Sequence, residues 1–308
     1  MNQINRVYKI PYHTAFVVNP TAGNGRARRI WFKIESLLEK RGQHYRVYFT
    51  RKTGEGTDLA ALAVSDEAEL VVAVGGDGTL REVINGINLE KNILGIIPAG
   101  TGNGFIRSCG IPLNWYRALQ GLASWYPRRV DLGLVNGVYF LNVVGIGFDA
   151  AVAKTAAKKN SYLKGYPAYA AAVLSQTISF KRFSCKIRCN GLCYEDDQTL
   201  LAVAANGSYY GGRLCIVPRA NIDDGLLDLC LVKKRSISNL IDLGLKVIFR
   251  RHLDSSDVVK FAGSDIYMKA VQKVPVHIDG DLFDLPEVNI TTKPGILRVL
   301  APAKQMIR

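Results

Sequence analysis

The sequence predicts an α/β unit with a largely parallel sheet, followed by a mostly antiparallel β unit. Three observations predict this. Over the first 110 residues, apolar runs rich in β-branched residues alternate with helix-length stretches. After about residue 130 that alternation gives way to strands, two pairs of them joined by Asn-Gly between apolar runs. The chain has 308 residues, and at roughly 150 per domain that length suits two cores.

The elements follow in order. Ala15–Val18, Tyr45–Phe49, Leu70–Val74 and Ile93–Ile97 read as buried strands. Ala27–Lys40, Gly56–Val64 and Thr79–Asn85 between them space their apolar residues as helices do. Gly42 and Gly86 stand where those helices would end in a left-handed turn. Strands alternating with helices imply βαβ crossovers and a parallel sheet. Beyond residue 130, Val130–Val135 and Val138–Val144 flank Asn136-Gly137, and Phe183–Cys189 and Leu192–Glu195 flank Asn190-Gly191. Asn-Gly is a hairpin signal because both central residues of the turn need positive φ. Further strands are expected at Leu200–Ala205, Leu226–Val232, Asp265–Val271, Val276–Asp279 and Val288–Thr292, with helices at about 161–179 and 236–249. The boundary is placed near residue 131 with no linker.

Composition narrows the function classes. At 48% apolar and 21% charged residues, the chain is neither disordered nor fibrous. Forty Lys and Arg against 26 Asp and Glu give +14, which points to an anionic partner. No run reaches the roughly 20 apolar residues of a spanning helix, and the N-terminus lacks a signal core, so a cytoplasmic protein is expected. Six cysteines are too few for a disulfide scaffold and form no CxxC pair. Cys185, Cys189 and Cys193 read as packing cysteines rather than a metal site, because a turn interrupts their spacing.

Three glycine-rich loops follow expected strands. Gly75-Gly76-Asp77-Gly78-Thr79 lies between the third strand and a helix, where unpaired amides and the helix dipole would face an anion. The alternative is an ordinary turn with Asp77 as a helix cap. Asn19-Pro20-Thr21-Ala22-Gly23-Asn24-Gly25 follows the first strand, and Pro98-Ala99-Gly100-Thr101-Gly102-Asn103-Gly104 the fourth. In a parallel sheet all three stand at the carboxyl ends of strands, the ligand end of open α/β folds. None is a P-loop, since no Lys-Ser or Lys-Thr pair follows.

The segments GGDGTLREVINGI, NPTAGNGRA and PAGTGNGFIRSCGIP resemble the diacylglycerol kinase catalytic domain shared by bacterial lipid kinases, sphingosine kinases and ceramide kinases. The likeness continues through VDLG (130–133), GIGFDA (145–150), DDGLLDL (223–229) and IDGDLF (278–283), and covers nearly the whole chain. It implies an α/β nucleotide-binding domain, residues 1–131 with 293–308, and a β-rich lipid-substrate domain, 132–292, with ATP in a cleft between them. It implies an ATP- and Mg²⁺-dependent kinase acting on the hydroxyl of a membrane lipid such as diacylglycerol. Matching nucleotide-binding positions are Asn19, Pro20, Thr21, Ala22, Gly23, Thr50, Gly75, Gly76, Asp77, Gly78, Thr79, Glu82 and Thr101, with Glu82 reaching toward adenine. Asp77 would organise Mg²⁺ and phosphates or act as base. Asp281 is the other candidate proton acceptor, and Asp131 a further carboxylate tuning the site. Asn221, Asp224 and Leu226 match a structural Mg²⁺ loop; for Asp224 the alternative is a simple Asp-Asp-Gly turn.

Two departures stand out from the family pattern. Asp281 replaces the usual Glu, so the proton acceptor is one methylene shorter. Gly104 replaces an Asp of the expected carboxylate, water and Mg²⁺ network.

A basic stretch fits a membrane substrate. Lys154, Lys158, Lys159, Lys164, Lys181, Arg182, Lys186 and Arg188 stand in residues 150–190 with no acidic residue among them. Tyr162, Tyr166, Tyr169 and Phe180 are interleaved and suited to headgroup depth; a solvated basic face over packed aromatics is the alternative. Expected partners are ATP, a membrane lipid, an anionic surface at the inner membrane and a second copy of the chain, with no nucleic acid. Competing classes are a sphingoid-base or ceramide-type kinase, an NAD kinase-like enzyme, which also carries a GGDGT turn, and a catalytically weak lipid or nucleotide sensor.

Overall fold

The computed structural model describes residues 9–156, 172–173, 175–177, 179–210, 214–233, 236, 239, 242–243, 246–247, 249 and 251–303. The chain divides into two compact units, Met1–Asp131 with Gly295–Arg308, and Leu132–Pro294.

In the first unit, β1 (Thr14–Val18), α1 (Ala22–Lys40), β2 (Arg46–Phe49), α2 (Glu55–Ser65), β3 (Leu70–Gly75), α3 (Asp77–Ile84) and β4 (Ile93–Pro98) follow the expected alternation. The strands lie in the order β4-β3-β1-β2, all parallel. β1, β3 and β4 are buried throughout, which is why they read as continuous apolar runs rather than alternating ones. Helix α1 buries Ala27, Ile30, Trp31, Ile34 and Leu38, a stripe at helical spacing. Its first residues, Gly23, Asn24 and Gly25, are all left-handed, so regular helix begins only after the glycine loop. Two short helices were not expected: α4 (Gly104–Ser108) and α5 (Trp115–Leu122). Asn114 caps α5 by accepting from the Tyr116 and Arg117 amides.

Gly86 corrects the sequence reading. Its φ is not positive; a Cβ there would lie 2.1 Å from the Thr57 carbonyl oxygen. Glycine is required by the close packing of α3's end on α2, not by a left-handed turn. Gly42, at φ +57, does take the left-handed turn.

The chain passes into the second unit within β5 (Tyr126–Val135). There follow β6 (Val138–Phe140), β7 (Val143–Gly147), α6 (Phe148–Ala156), β8 (Phe183–Cys189), β9 (Leu192–Ala205), β10 (Tyr209–Tyr210), β11 (Leu214–Cys215), β12 (Leu227–Lys233), β13 (Val258–Gly263), β14 (Asp265–Ala270), β15 (Val276–Ile278), β16 (Asp281–Phe283) and β17 (Glu287–Ala301). The pairs β7·β9, β8·β9, β14·β8, β14·β17, β15·β7 and β12·β13 are antiparallel. Both Asn-Gly turns form as expected, with φ +47 and +86 at Asn136-Gly137 and +49 and +83 at Asn190-Gly191. The run Val138–Val144 is two strands rather than one, broken at Leu141-Asn142. Strand β17 returns to the first unit, where Arg298 and Val299 pair parallel with Ile93 and Leu94 of β4.

The expected helices at about 161–179 and 236–249 fall largely outside the described residues. Among the described residues no helix is long and apolar enough to cross a membrane. The six cysteines are free, and burial pushes the Cys185 and Cys230 thiols up to about 12, as suits packing rather than reactivity.

Candidate active site

The three glycine-rich loops meet at the carboxyl ends of β1, β3 and β4. The first touches the third: a Cβ on Gly23 would lie 2.2 Å from the Ala99 carbonyl oxygen. The second touches the third through backbone alone: Ala99 and Gly100 donate their amides to the Gly75 carbonyl at 2.8 and 3.0 Å, and a Cβ on Gly100 would fall 2.4 Å from the Gly76 Cα. The first and second are joined by side chains, Asn19 Nδ2 donating to Thr79 Oγ1 at 3.1 Å. Thr79 is buried, and it fits only because Gly75 has no side chain, since a Cβ there would lie 2.4 Å from Thr79 Oγ1. The Asn19 Oδ1 accepts from both the amide and hydroxyl of Thr21. Gly78 opens on free space, and the amides that begin α3 have no partner within the helix. The result is a backbone-lined cradle that side chains would fill.

Asp77 is a clamp between loops. Its Oδ2 accepts from the Gly104 amide at 2.9 Å and its Oδ1 from the Phe105 amide at 3.1 Å, so it holds the start of α4. Each oxygen keeps a lone pair for another donor or a cation. Glu82 is engaged in the same way, its Oε1 accepting from Gly54 and its Oε2 from Gly56 at 2.8 and 2.9 Å. It thereby fixes the segment after Thr50, which is itself buried and donates its amide to Val18. Asp131 is buried and accepts from the Gly295 amide at 2.7 Å, holding the returning chain. Pro20, Ala22 and Thr101 belong to the loops that frame the cradle.

Asn103, within the third glycine-rich loop, is a site residue that the motif alone does not single out. It is buried in a left-handed conformation, donates Nδ2 to the Gly100 carbonyl at 3.0 Å, and leaves its buried Oδ1 without a hydrogen-bond partner. A buried acceptor left this way is costly. The signal available in sequence was an Asn among glycines, the residue other than Gly that best tolerates positive φ.

In the second unit, the Asp279 carboxylate accepts from the amides of Leu141, Asn142 and Val143 at 2.7, 2.8 and 3.0 Å. That is the physical reason β6 and β7 are separate strands: these amides turn to a carboxylate. Asp279 and Gly280, at φ +49 and +96, form a third tight hairpin turn. It presents Asp281, which is exposed at the start of β16. The residues Asn221, Asp224 and Leu226 lie together in the turn before β12. Asp224 Oδ1 accepts from the Leu226 amide, and burial, then the Asp224 charge, holds the nearby Asp228 carboxyl above its ordinary value. Among the described residues no group of three or more His, Cys, Asp or Glu side chains gathers as a metal site, so an ion here would rest on one carboxylate and backbone carbonyls.

The basic stretch is only partly described; Lys158, Lys159, Lys164, Tyr162, Tyr166 and Tyr169 lie outside the described residues. Phe180 corrects the expectation of headgroup depth, because its ring packs edge-on against Phe148 and Phe183 at 6.0 and 6.4 Å. Lys186 pairs with Glu195 at 2.9 Å and Arg188 lies 4.4 Å from the Tyr267 ring centroid. Lys154, Lys181 and Arg182 are exposed.

Comparison with known proteins agrees with this geometry. Residues 13–135 match the family model of the diacylglycerol kinase catalytic domain, and residues 142–301 that of the YegS C-terminal NAD kinase β-sandwich-like domain. A diacylglycerol kinase of Bacillus subtilis (strain 168) is 27% identical over 268 residues, covering 86% of this chain and 88% of the relative. A protein of the same organism proposed to be a lipid kinase is 29% identical over 305 residues, covering 93% and 99%. A crystal structure of a Bacillus anthracis (strain Sterne) chain, proposed to be a diacylglycerol kinase, superimposes with a TM-score of 0.78 at 26% identity, covering 95% of this chain and 98% of that one.

Proposed function

The chain belongs to the diacylglycerol kinase catalytic-domain family of lipid kinases, and from that premise we propose that it transfers the γ-phosphate of ATP to the hydroxyl of a membrane diacylglycerol with the help of Mg²⁺. The observation that carries the reading is the cradle, in which Gly23, Gly76 and Gly100 bring three loops together at distances that exclude any side chain. Phosphoryl transfer asks the protein mainly for positioning and electrostatic stabilisation. The amides after Gly76 and those of Gly23 and Asn24 hold phosphate oxygens, and Asn19 with Thr79 keeps the two loops in register. Glu82 acts on the nucleotide by fixing the Thr50–Gly56 segment. Mg²⁺ bound with ATP would neutralise charge on the phosphates, and Asp77 would be the carboxylate that holds it. Asn221, Asp224 and Leu226 would be the donors for a second, structural ion.

Asp281 accepts the proton of the attacking hydroxyl. Its exposure supports this role, and the clamp made by Asp77 argues against Asp77 as base, since its oxygens are already acceptors for two amides that a protonated carboxyl would lose in part. The exposed Lys154, Lys181 and Arg182 favour a peripheral position on an anionic membrane.

The test is radiolabel transfer from ATP to mixed micelles holding diacylglycerol, sphingosine or ceramide, with NAD as a soluble competitor acceptor. Labelled phosphatidic acid that requires Mg²⁺ is expected. Asp281→Asn should lower kcat by about a hundredfold or more with ATP binding retained. Label on NAD alone, or Asp281→Asn at near-normal kcat, overturns the substrate or the base.

A further inference from the structure

The motif residues Gly145 and Asp149 meet the turn before Asp281 through a residue the proposed chemistry leaves unused, His277. It is fully buried and stands opposite Gly145 in the antiparallel pairing of β15 with β7. Its Nε2 lies 2.7 Å from Asp149 Oδ2, and its Nδ1 lies 3.2 Å from the Gly280 amide nitrogen. A backbone amide can only donate, so Nδ1 is the acceptor for Gly280 and the ring proton sits on Nε2, donated to Asp149. The contact is built into the strand pairing. A Cβ on Gly145 would fall 2.0 Å from Asp149 Oδ2 and 2.4 Å from His277 Nε2, so the space exists only because position 145 carries no side chain. Asp149 is fixed in turn at the start of α6, its Oδ1 accepting from the Ala150 amide at 2.9 Å.

The turn is therefore held at both of its residues, Asp279 by its side chain on the amides of 141–143 and Gly280 by its amide on His277. The residue that follows is Asp281. We infer that His277, oriented by Asp149, is a positioning residue that fixes the backbone from which the Asp281 carboxylate reaches its proton. The inference rests on the role proposed above for Asp281 and assigns that role its support. A glycine without this bond could rotate, and an aspartate has one methylene less than a glutamate with which to recover the lost reach. A displacement of about 1 Å at a reacting group costs on the order of a hundredfold in rate.

Two substitutions separate the two bonds of the ring. His277→Gln can still donate to Asp149 but has no acceptor at the Nδ1 position; His277→Asn keeps an oxygen there but does not reach Asp149. His277→Gln should lose about ten- to a hundredfold in kcat at unchanged KM for ATP, with faster hydrogen exchange at the Gly280 amide. His277→Asn should keep Gly280 protected and keep more of kcat while melting lower, because it leaves Asp149 buried without its partner. Asp149→Ala, which leaves Nδ1 and Asp281 in place but frees the ring, is the third variant should either fail to fold, and it too should lose kcat at unchanged KM for ATP. A His277→Gln enzyme within about twofold of wild-type kcat, or Gly280 exchange equal in the wild type and both His277 variants, overturns the inference. A wild-type chain that phosphorylates no lipid sinks the proposed function instead, and Gly280 exchange then still decides whether His277 holds the turn.

Discussion

Gly100→Ala isolates the cradle from every other property of the chain. The substituted methyl carbon would stand 2.4 Å from the Gly76 Cα, 3.0 Å from the Gly76 nitrogen and 2.8 Å from Asn103 Oδ1. Ordinary contact for a Cβ begins near 3.4 Å, so the second and third loops must part by about 1 Å, and neither obstacle at Gly76 is a flexible side chain. Gly100 is outside the left-handed region, so alanine carries no backbone penalty and the effect is steric. Overpacking of this kind costs about 1–3 kcal/mol, a lower melting temperature in a chain that still folds. Its effect on function is larger, because the amides of both loops lose their common focus, and a 1 Å displacement costs on the order of a hundredfold. Steady-state kinetics with ATP varied at saturating lipid micelles, with nucleotide binding measured by calorimetry, should show kcat/KM for ATP down by about that factor and weaker binding. A Gly100→Ala enzyme that binds ATP as wild type and keeps kcat/KM within about threefold would refute the argument that this contact shapes the nucleotide site.

Three further outcomes are expected. Asp279→Asn replaces one acceptor oxygen by an NH₂ that faces backbone amides of 141–143, and leaving a buried donor unmatched should destabilise the chain by about 1–3 kcal/mol, read as a lower denaturant midpoint. The Asp66 carboxyl is held below its ordinary value by hydrogen bonds from Arg46, 2.5 Å away, and then Tyr48; a depressed folded value means that its stabilisation is present above the ordinary carboxylate range near pH 4 and is lost as pH falls through the lower folded value. Asp66→Asn should therefore flatten the acid side of a melting-temperature profile and leave the alkaline side parallel to wild type. Binding to anionic vesicles, measured by sedimentation, should weaken as the screening length falls from about 10 Å at 0.1 M salt to about 3 Å at 1 M, and Lys181→Glu with Arg182→Glu should weaken it at low salt alone.

The parallel sheet and the three loops were legible because their causes are local. A buried parallel strand must be a short apolar run, and a loop that brings backbones together must be glycine. The two Asn-Gly hairpins were legible for the same reason, positive φ at adjacent residues. What stayed hidden depends on partners far along the chain. Nothing near Gly104 announces that its amide, and therefore α4, is held by Asp77; nothing near Leu141 announces that a carboxylate 138 residues later will take its amide and split a strand. Gly86 looked like a helix stop because it follows a helix, but the reason for glycine there is the Thr57 carbonyl on another helix. Asn103 among its glycines and Asn114, an N-cap with its helix directly behind it, are local signals that went unused.

The carboxylates explain why motif reading alone misassigns roles in this family of loops. Asp77, Glu82, Asp131 and Asp279 all lie in or beside recognisable motifs, and every one of them accepts from backbone amides. A carboxylate used in this way does what no neutral side chain of its size can do, because its two oxygens gather several amides at once with charge-assisted strength. A glycine-rich site needs such groups: its loops have few side chains with which to hold themselves, and a substituent that reaches backbone donors from a neighbouring element replaces the packing that glycine gives up. A motif acid in such a loop is thus as well explained by construction as by chemistry, and the two make different predictions. A structural carboxylate should tolerate no neutral isostere at all and should cost stability and nucleotide affinity together, whereas a proton acceptor should cost kcat alone. By that criterion Asp77→Asn, which would place an NH₂ against the Gly104 or Phe105 amide and loosen α4, cannot identify the base by loss of activity. Asp281→Asn can, since Asp281 is the motif carboxylate whose side chain stands exposed at the head of its strand, and a fall in kcat there without a fall in melting temperature separates the chemistry from the scaffold that carries it.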